Sequence, residues 1–139
     1  MAYVKRLAAD MWFSKCIREA AGWRCQRCGK QHHEGSQGLH CAHFMTRGKW
    51  ATRFDPLNVA SCCYGCHQYL DSRPYEKAAW FEQFLGMDVA QMMREKSENT
   101  THGLKKCLKE ITKHYKAEHA RIVQANRDGV PKVTVVGFL

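Results

Sequence analysis

Apolar residues recur at helical spacing over residues 7–21. Leu7, Met11, Ile17 and Ala20 or Ala21 form the stripe, Trp12, Phe13 and Cys16 widen it, and Gly22 ends it. Residues 31–38 are a polar loop, and the short, mostly apolar run Leu39–Phe44 predicts a strand. Over 45–57, Arg47, Lys49 and Arg53 interleave with Trp50 and Phe54 and lead to Asp55-Pro56, where proline argues against continued regular structure. Helices are predicted over about 67–70, about 75–85 (Trp80, Phe81, Phe84 and Leu85 apolar) and about 89–96. Residues 97–103 read as a linker with Thr100 or Thr101 as N-cap. The clearest helix covers 104–123. Its Leu104, Leu108, Ile111, Tyr115 and Ile122 make a heptad seam broken by Glu118, suited to packing on its own domain or to a dimer contact. The segment 130–139 reads as a strand or an apolar arm.

These elements predict a small α+β fold, with a core over 1–102 and a basic C-terminal helix and apolar tail over 103–139. At 139 residues the chain can bury roughly two-thirds of its unfolded surface, so a structural metal would add materially to stability. The apolar content excludes wholesale disorder. The start, Met-Ala-Tyr-Val-Lys-Arg, has no apolar leader core, and no apolar run reaches the ~20 residues of a membrane span, so a cytoplasmic protein is expected. Charge is uneven: residues 1–53 sum to +7, residues 54–102 to −3 and residues 103–139 to +5. Two basic flanks point to a polyanionic partner, most simply nucleic acid.

Of eight cysteines, Cys25-Gln-Arg-Cys28 and Cys63-Tyr-Gly-Cys66 form two C-x-x-C pairs with 34 residues between them. Four thiolates in two tight pairs close a tetrahedral zinc site with no open position, which makes this Zn²⁺ structural. Cys16, Cys41, Cys62 and Cys107 do not pair tightly; Cys62 adjoins Cys63, and the spacing favours Cys63. Among eight histidines, His32, His33, His102, His114 and His119 have no evident partners in the sequence. His67 follows Cys66 directly and His43 sits on the predicted strand; each suits either a catalytic role or a hydrogen-bonded structural one.

The segments His40-Cys-Ala-His-Phe44, Arg53-Phe-Asp-Pro-Leu-Asn58 and Cys63-Tyr-Gly-Cys-His67 resemble an HNH (ββα-metal) endonuclease motif. The likeness is closest to phage recombination proteins of the NinG, or Rap, type, in which Gly-His-Phe, Ala-Thr-Arg-Phe-Asp and Cys-x-x-Cys-Asn or Cys-x-x-Cys-His segments follow in this order. Here they stand as Ala42-His43-Phe44, Ala51-Thr52-Arg53-Phe54-Asp55 and Cys63–His67, and the resemblance spans about residues 7–123. It implies a zinc-clipped ββα core, DNA hydrolysis in phage recombination, possible action on branched DNA, and the host cytoplasm. It implies His43 as general base and His67 as ligand of a catalytic Mg²⁺ or Mn²⁺. Asn58 would hold the loop and orient His43, and Arg53, with Arg47 and Lys49, would contact phosphate.

One departure bears on the metal. Many HNH sites carry an acidic ligand just before the catalytic histidine, where this chain has Ala42. His40 is then the candidate second ligand and Asp71 the reserve. Strand alternation sends His40 and His43 to opposite faces, so their convergence requires a bulge. The missing acidic ligand at Ala42 keeps a zinc-containing nucleic-acid-binding module without catalysis as the rival reading.

Overall fold

The computed structural model describes residues 4–138. Strands β1 (Leu39–His43) and β2 (Val59–Cys63) pair antiparallel, with Leu39 opposite Cys63 and His43 opposite Val59. Around this ribbon lie α1 (Ala8–Ala20), α2 (Trp50–Arg53), α3 (Tyr64–Asp71), α4 (Pro74–Leu85), α5 (Met87–Ser97) and α6 (Leu108–Arg127). Short 3₁₀ turns cover Pro56–Asn58 and Leu104–Cys107. The fold is α+β, as the sequence pattern predicts.

The ribbon lies between two apolar clusters. Leu39, Ala42, Ala60 and Cys62 join Phe44, Leu70, Phe81 and Met93 on one side. Val59 and Cys41 join Phe13, Phe54, Ile111, Tyr115 and Ile122 on the other. Aromatic edges organise the second cluster, with the Phe13 ring 4.9 Å from Tyr115 and 6.0 Å from Phe54. The seam of α6 is therefore buried against α1 within the chain, so a dimer through this helix would have to use its opposite, lysine-bearing face.

Several expectations shift by a turn or a face. The buried face of α1 is Ala9, Phe13, Cys16 and Ile17, whereas Met11 of the predicted stripe is 40% exposed. Small Ala9, outside the predicted stripe, is fully buried in the α1–α6 cluster, as is Cys16, whose Sγ lies 3.2 Å from Tyr115 O. The stretch around Pro56 is more regular than expected: α2 precedes it, and the proline opens a 3₁₀ turn capped by the Asp55 side chain, which accepts from Leu57 N–H. Neither Thr100 nor Thr101 caps a helix. Gly103 turns the chain at φ +69°, and His102 Nδ1 accepts from Leu104 N–H at 2.9 Å.

The tail is an arm rather than a strand; Leu139 lies outside the described residues. Val133, Val135 and Phe138 pack on the α1–α6 cluster. Its alternate backbone groups bond to α6 side chains: Arg121 donates to Thr134 O (2.8 Å), Val136 N–H donates to Glu118 (2.6 Å), and Phe138 N–H donates to the Tyr115 hydroxyl (3.1 Å). Glu118, which breaks the heptad seam, is the buried acceptor that holds this arm.

The N-terminus of α1 is fastened by charge. The Arg53 guanidinium is 3% exposed and bonds Asp10 through two nitrogens at 3.0 and 2.6 Å. Asp10 also accepts from Leu7 N–H at 2.8 Å. Burial alone would raise the Asp10 carboxyl; Arg53 and the Leu7 N–H outweigh it and hold the group below its ordinary value. Asp10→Ala leaves a buried guanidinium unpaired and should cost about 3–5 kcal/mol in urea unfolding. Adding Arg53→Met should recover part of that loss. A single-variant cost below about 1 kcal/mol would show that water reaches the pair.

Candidate functional site

The four cysteines of the two C-x-x-C pairs meet. Cys25, Cys28, Cys63 and Cys66 place their sulfurs all within 4.8 Å of one another, a set that could hold a structural metal such as zinc. At a metal–sulfur distance of about 2.3 Å, a tetrahedron has sulfur–sulfur edges of about 3.8 Å. The Cys28–Cys63 separation is 3.8 Å. Gly29, at φ +81°, turns the first knuckle, and its N–H donates to Cys25 O. Gln26 stitches that knuckle to β2: its N–H donates to Ser61 O at 2.7 Å, and its side-chain oxygen accepts from Ser61 N–H at 2.8 Å. Burial pushes the Cys25 thiol up, but backbone N–H donors overcome it and bring it to about 6, favouring the thiolate a metal needs. Cys62 points away into the apolar core, where burial pushes its thiol well up.

His67, on the first turns of α3, is flanked on both ring nitrogens. Its Nδ1 faces His40 Nδ1 at 3.0 Å, and its Nε2 lies 3.1 Å from Asp71 one turn along the helix. Asp71 is in turn 3.1 Å from Lys77. The bond with His67 comes first among the causes holding Asp71 near 2, with Lys77 adding to it against burial. Burial, then the neighbouring His67, keeps His40 below its ordinary value. Tyr64, 60% exposed, stands edge-on to His40 at 5.9 Å. The structure thus brings His40, His67 and Asp71 into one chain of contacts, with His40 on the Nδ1 side and Asp71 on the Nε2 side.

His43 is held apart from that chain. The register of β1 runs unbroken from Leu39 to His43, so no bulge turns His40 and His43 to one face. His43 instead lies 6.2 Å from the Phe13 ring, with its Nε2 3.0 Å from Arg53 O. A carbonyl only accepts, so Nε2 carries the hydrogen and the neutral ring keeps its lone pair on Nδ1. Burial pushes His43 down to about 4, against the raising effect of that bond, so the ring is neutral at pH 7. Asn58 is fully buried behind it. Its oxygen accepts from Met45 N–H (2.8 Å), and its amide donates to Met45 O (2.9 Å) and Thr52 O (3.1 Å), closing the loop between the strands.

The three basic candidates diverge. Arg53 is unavailable to a phosphate because its guanidinium is buried on Asp10 and donates to Lys5 O. Lys49 is exposed, 3.5 Å from Glu98, and Arg47 lies half-buried 3.5 Å from Val4 O. Of the histidines without evident sequence partners, His114 Nε2 is 2.8 Å from Val136 O and His119 packs 5.7 Å from the Trp12 ring. Two residues carried no sequence signal of their own: Lys77, which reaches Asp71, and Arg27, which donates to Cys66 Sγ at 3.2 Å. Arg27 lies inside the first C-x-x-C, where the spacing draws attention only to the sulfurs. A cavity of about 180 Å³ lies between Phe54, Leu104, Ile111 and Phe138, with Asp55, Lys96, Asn99 and His102 also on its wall, and none of His40, His43 and His67 lines it.

Compared with family models, curated proteins and solved structures, the chain matches none. No described helix is long and apolar enough to cross a membrane.

Protein purified under reducing conditions should hold about one zinc ion per chain by elemental analysis, and Cys28→Ser should lower both the zinc content and the thermal midpoint. Wild-type zinc content in Cys28→Ser would remove that sulfur from the site. The neutral state of His43 has its own signature. An unfolded histidine takes up a proton near pH 6.5, but the folded one refuses it until about 4. Stability is therefore lost as pH falls through that window. The urea midpoint of His43→Gln should fall less between roughly pH 7 and pH 5 than that of wild type. Equal falls would mean that His43 is not held neutral by the fold.

Proposed function

We propose that this chain is an HNH-type, metal-dependent DNA endonuclease that hydrolyses phosphodiester bonds. The observation that carries the reading is His43: a neutral imidazole fixed by its Nε2–H on a backbone carbonyl, with Nδ1 free to accept. It stands at the end of the first strand of a strand–loop–strand–helix unit clipped by four cysteines. In this reading His43 Nδ1 takes the proton of the water that attacks phosphorus, and Arg53 O keeps the ring from turning. Asn58 acts through the loop it closes and touches no substrate.

His40 and His67 would hold a divalent cation, Mg²⁺ or Mn²⁺. Their facing nitrogens, 3.0 Å apart, match the separation of about 3.0 Å between adjacent ligands at right angles and about 2.1 Å from a metal. Asp71, on the far nitrogen of His67, would serve as the outer carboxylate that sets the ring's orientation, not as a direct ligand. When bound, the cation would supply charge stabilisation of the leaving oxygen. Lys49 and Arg47 remain as backbone contacts, and the basic flanks supply the wider field for DNA, branched DNA in phage recombination being the substrate class the resemblance suggests.

A non-catalytic zinc-containing nucleic-acid-binding module is the second reading. The unbroken register of β1 favours it, because His43 and the His40–His67 pair leave the strand on opposite faces. Cleavage would then require a phosphodiester laid across the outer edge of β1, within reach of both. The two readings separate in one assay of plasmid and four-way-junction DNA with Mg²⁺ or Mn²⁺. Wild type should cut, and His43→Ala and His67→Ala should each lower the rate at least about a hundredfold with DNA affinity nearly unchanged. Binding without cleavage by wild type in both metals would select the module reading.

A further inference from the structure

The zinc knuckle and α3 carry a second constellation, on the flank of α3 away from His67. Tyr69 is two residues beyond His67, which at about 100° per residue puts it on the other side of the helix. Over the Tyr69 ring lie two guanidinium groups: Arg27 at 4.1 Å and Arg73 at 4.3 Å from the ring centre. Arg27 is fixed further by its N–H bond to Cys66 Sγ (3.2 Å), and Arg73 by its bond to Ser72 Oγ (3.3 Å). The two side chains come from segments more than forty positions apart in the chain, so the cysteine cluster brings them together.

Carboxylates pair some arginines of this chain and leave these two without one. Arg53, Arg94 and Arg121 each have a carboxylate partner, in Asp10, Glu82 and Glu118. Among the described residues, neither Arg27 nor Arg73 has one within ion-pair distance, and nearby Asp71 is engaged by His67 and Lys77. Arg27 bonds the Cys66 sulfur, which strengthens its hold on its proton, whereas Arg73 bonds the neutral Ser72 hydroxyl. Stacking on the ring orients the guanidinium planes and leaves most of their N–H donors without a protein acceptor. A guanidinium with free N–H donors can take the two free oxygens of a phosphodiester as a fork.

We propose that Arg27 and Arg73, stacked on Tyr69, form a seat for one phosphodiester of DNA. Helix α3 then meets DNA on both flanks, with this seat on one and the His40–His67 pair on the other. The inference rests on DNA as partner and is independent of cleavage.

The test is DNA binding without added divalent cation, read as affinity against salt on a fluorescent duplex and a four-way junction. Arg73→Gln touches no sulfur of the cysteine cluster and should leave the zinc content and thermal midpoint unchanged. It should weaken binding roughly five- to tenfold and lower the slope of log affinity against log salt by about one. Tyr69→Leu should weaken binding similarly by freeing both arginines. In parallel, the Nε–H signals of Arg27 and Arg73 should shift in an NMR titration of the wild-type chain with the duplex. An unchanged slope for Arg73→Gln, with unmoved arginine signals in a chain that binds DNA, overturns the seat and leaves the nuclease reading standing. Shifts of both signals in a chain that never cuts DNA establish the seat and sink the nuclease reading. Shifts produced by inorganic phosphate alone and not by DNA assign the site to free phosphate, and a wild-type chain that binds no DNA overturns both proposals.

Discussion

A guanidinium removed from water has to keep its carboxylate, and much of this fold is arranged around that requirement at Arg53. Its side chain reaches across to Asp10 and draws the start of α1 onto the loop between the strands. Its own backbone carbonyl, facing the other way, receives the ring of His43. Asn58 binds the neighbouring Thr52 carbonyl and both backbone groups of Met45, so the loop cannot shift without breaking the hydrogen bonds of a buried amide. Buried ion pairs often add little net stability, but removing one partner is costly. The pair therefore acts here as a constraint on geometry: the orientation of His43 is tied to a charge pair at the far end of the same residue.

A second constraint acts over a longer stretch. The sulfurs of residues 25, 28, 63 and 66 converge on one point, which closes a long segment containing both strands and the loop between them. In a chain of this size, with its apolar side chains divided into two clusters either side of a two-stranded ribbon, neither cluster alone makes a large core. The sulfur cluster fixes the ribbon from one end and the α1–α6 contact covers it from the other.

What the sequence disclosed follows from how far each signal reaches along the chain. The C-x-x-C spacing is local, so the cysteine cluster and the choice of Cys63 over Cys62 were readable. Alternation along a strand is also local, and it placed His40 and His43 on opposite faces. The seam of α6 and its break at Glu118 were visible; the reason for the break was not, because the group Glu118 accepts from lies 18 residues away in the arm. Arg53 misled for the same reason: beside Trp50 and Phe54 it looks like a phosphate contact, and its true partner is 43 positions earlier. On α1 the apolar stripe includes the buried Phe13, Cys16 and Ile17 and misses Ala9, whose small side chain carries little hydrophobic signal. The pairing of Arg27 with Arg73 on one ring has no sequence signature, since only the closed cluster brings them together.

The C-terminal arm shows how order can exist without secondary structure. Its amides at Val136 and Phe138 are bonded to a carboxylate and a phenol, not to another backbone. Protection of those amides from solvent exchange would therefore report the state of two side chains on α6, and a helix left fully intact would still release the arm once they turned away. Such a segment opens as its own small cooperative unit, at a free energy below that of unfolding the domain. Tyr115 makes the unit asymmetric, because the same hydroxyl that accepts from Phe138 also donates to Phe54 O in the core. The end of the arm is thus the part whose detachment is felt furthest inside.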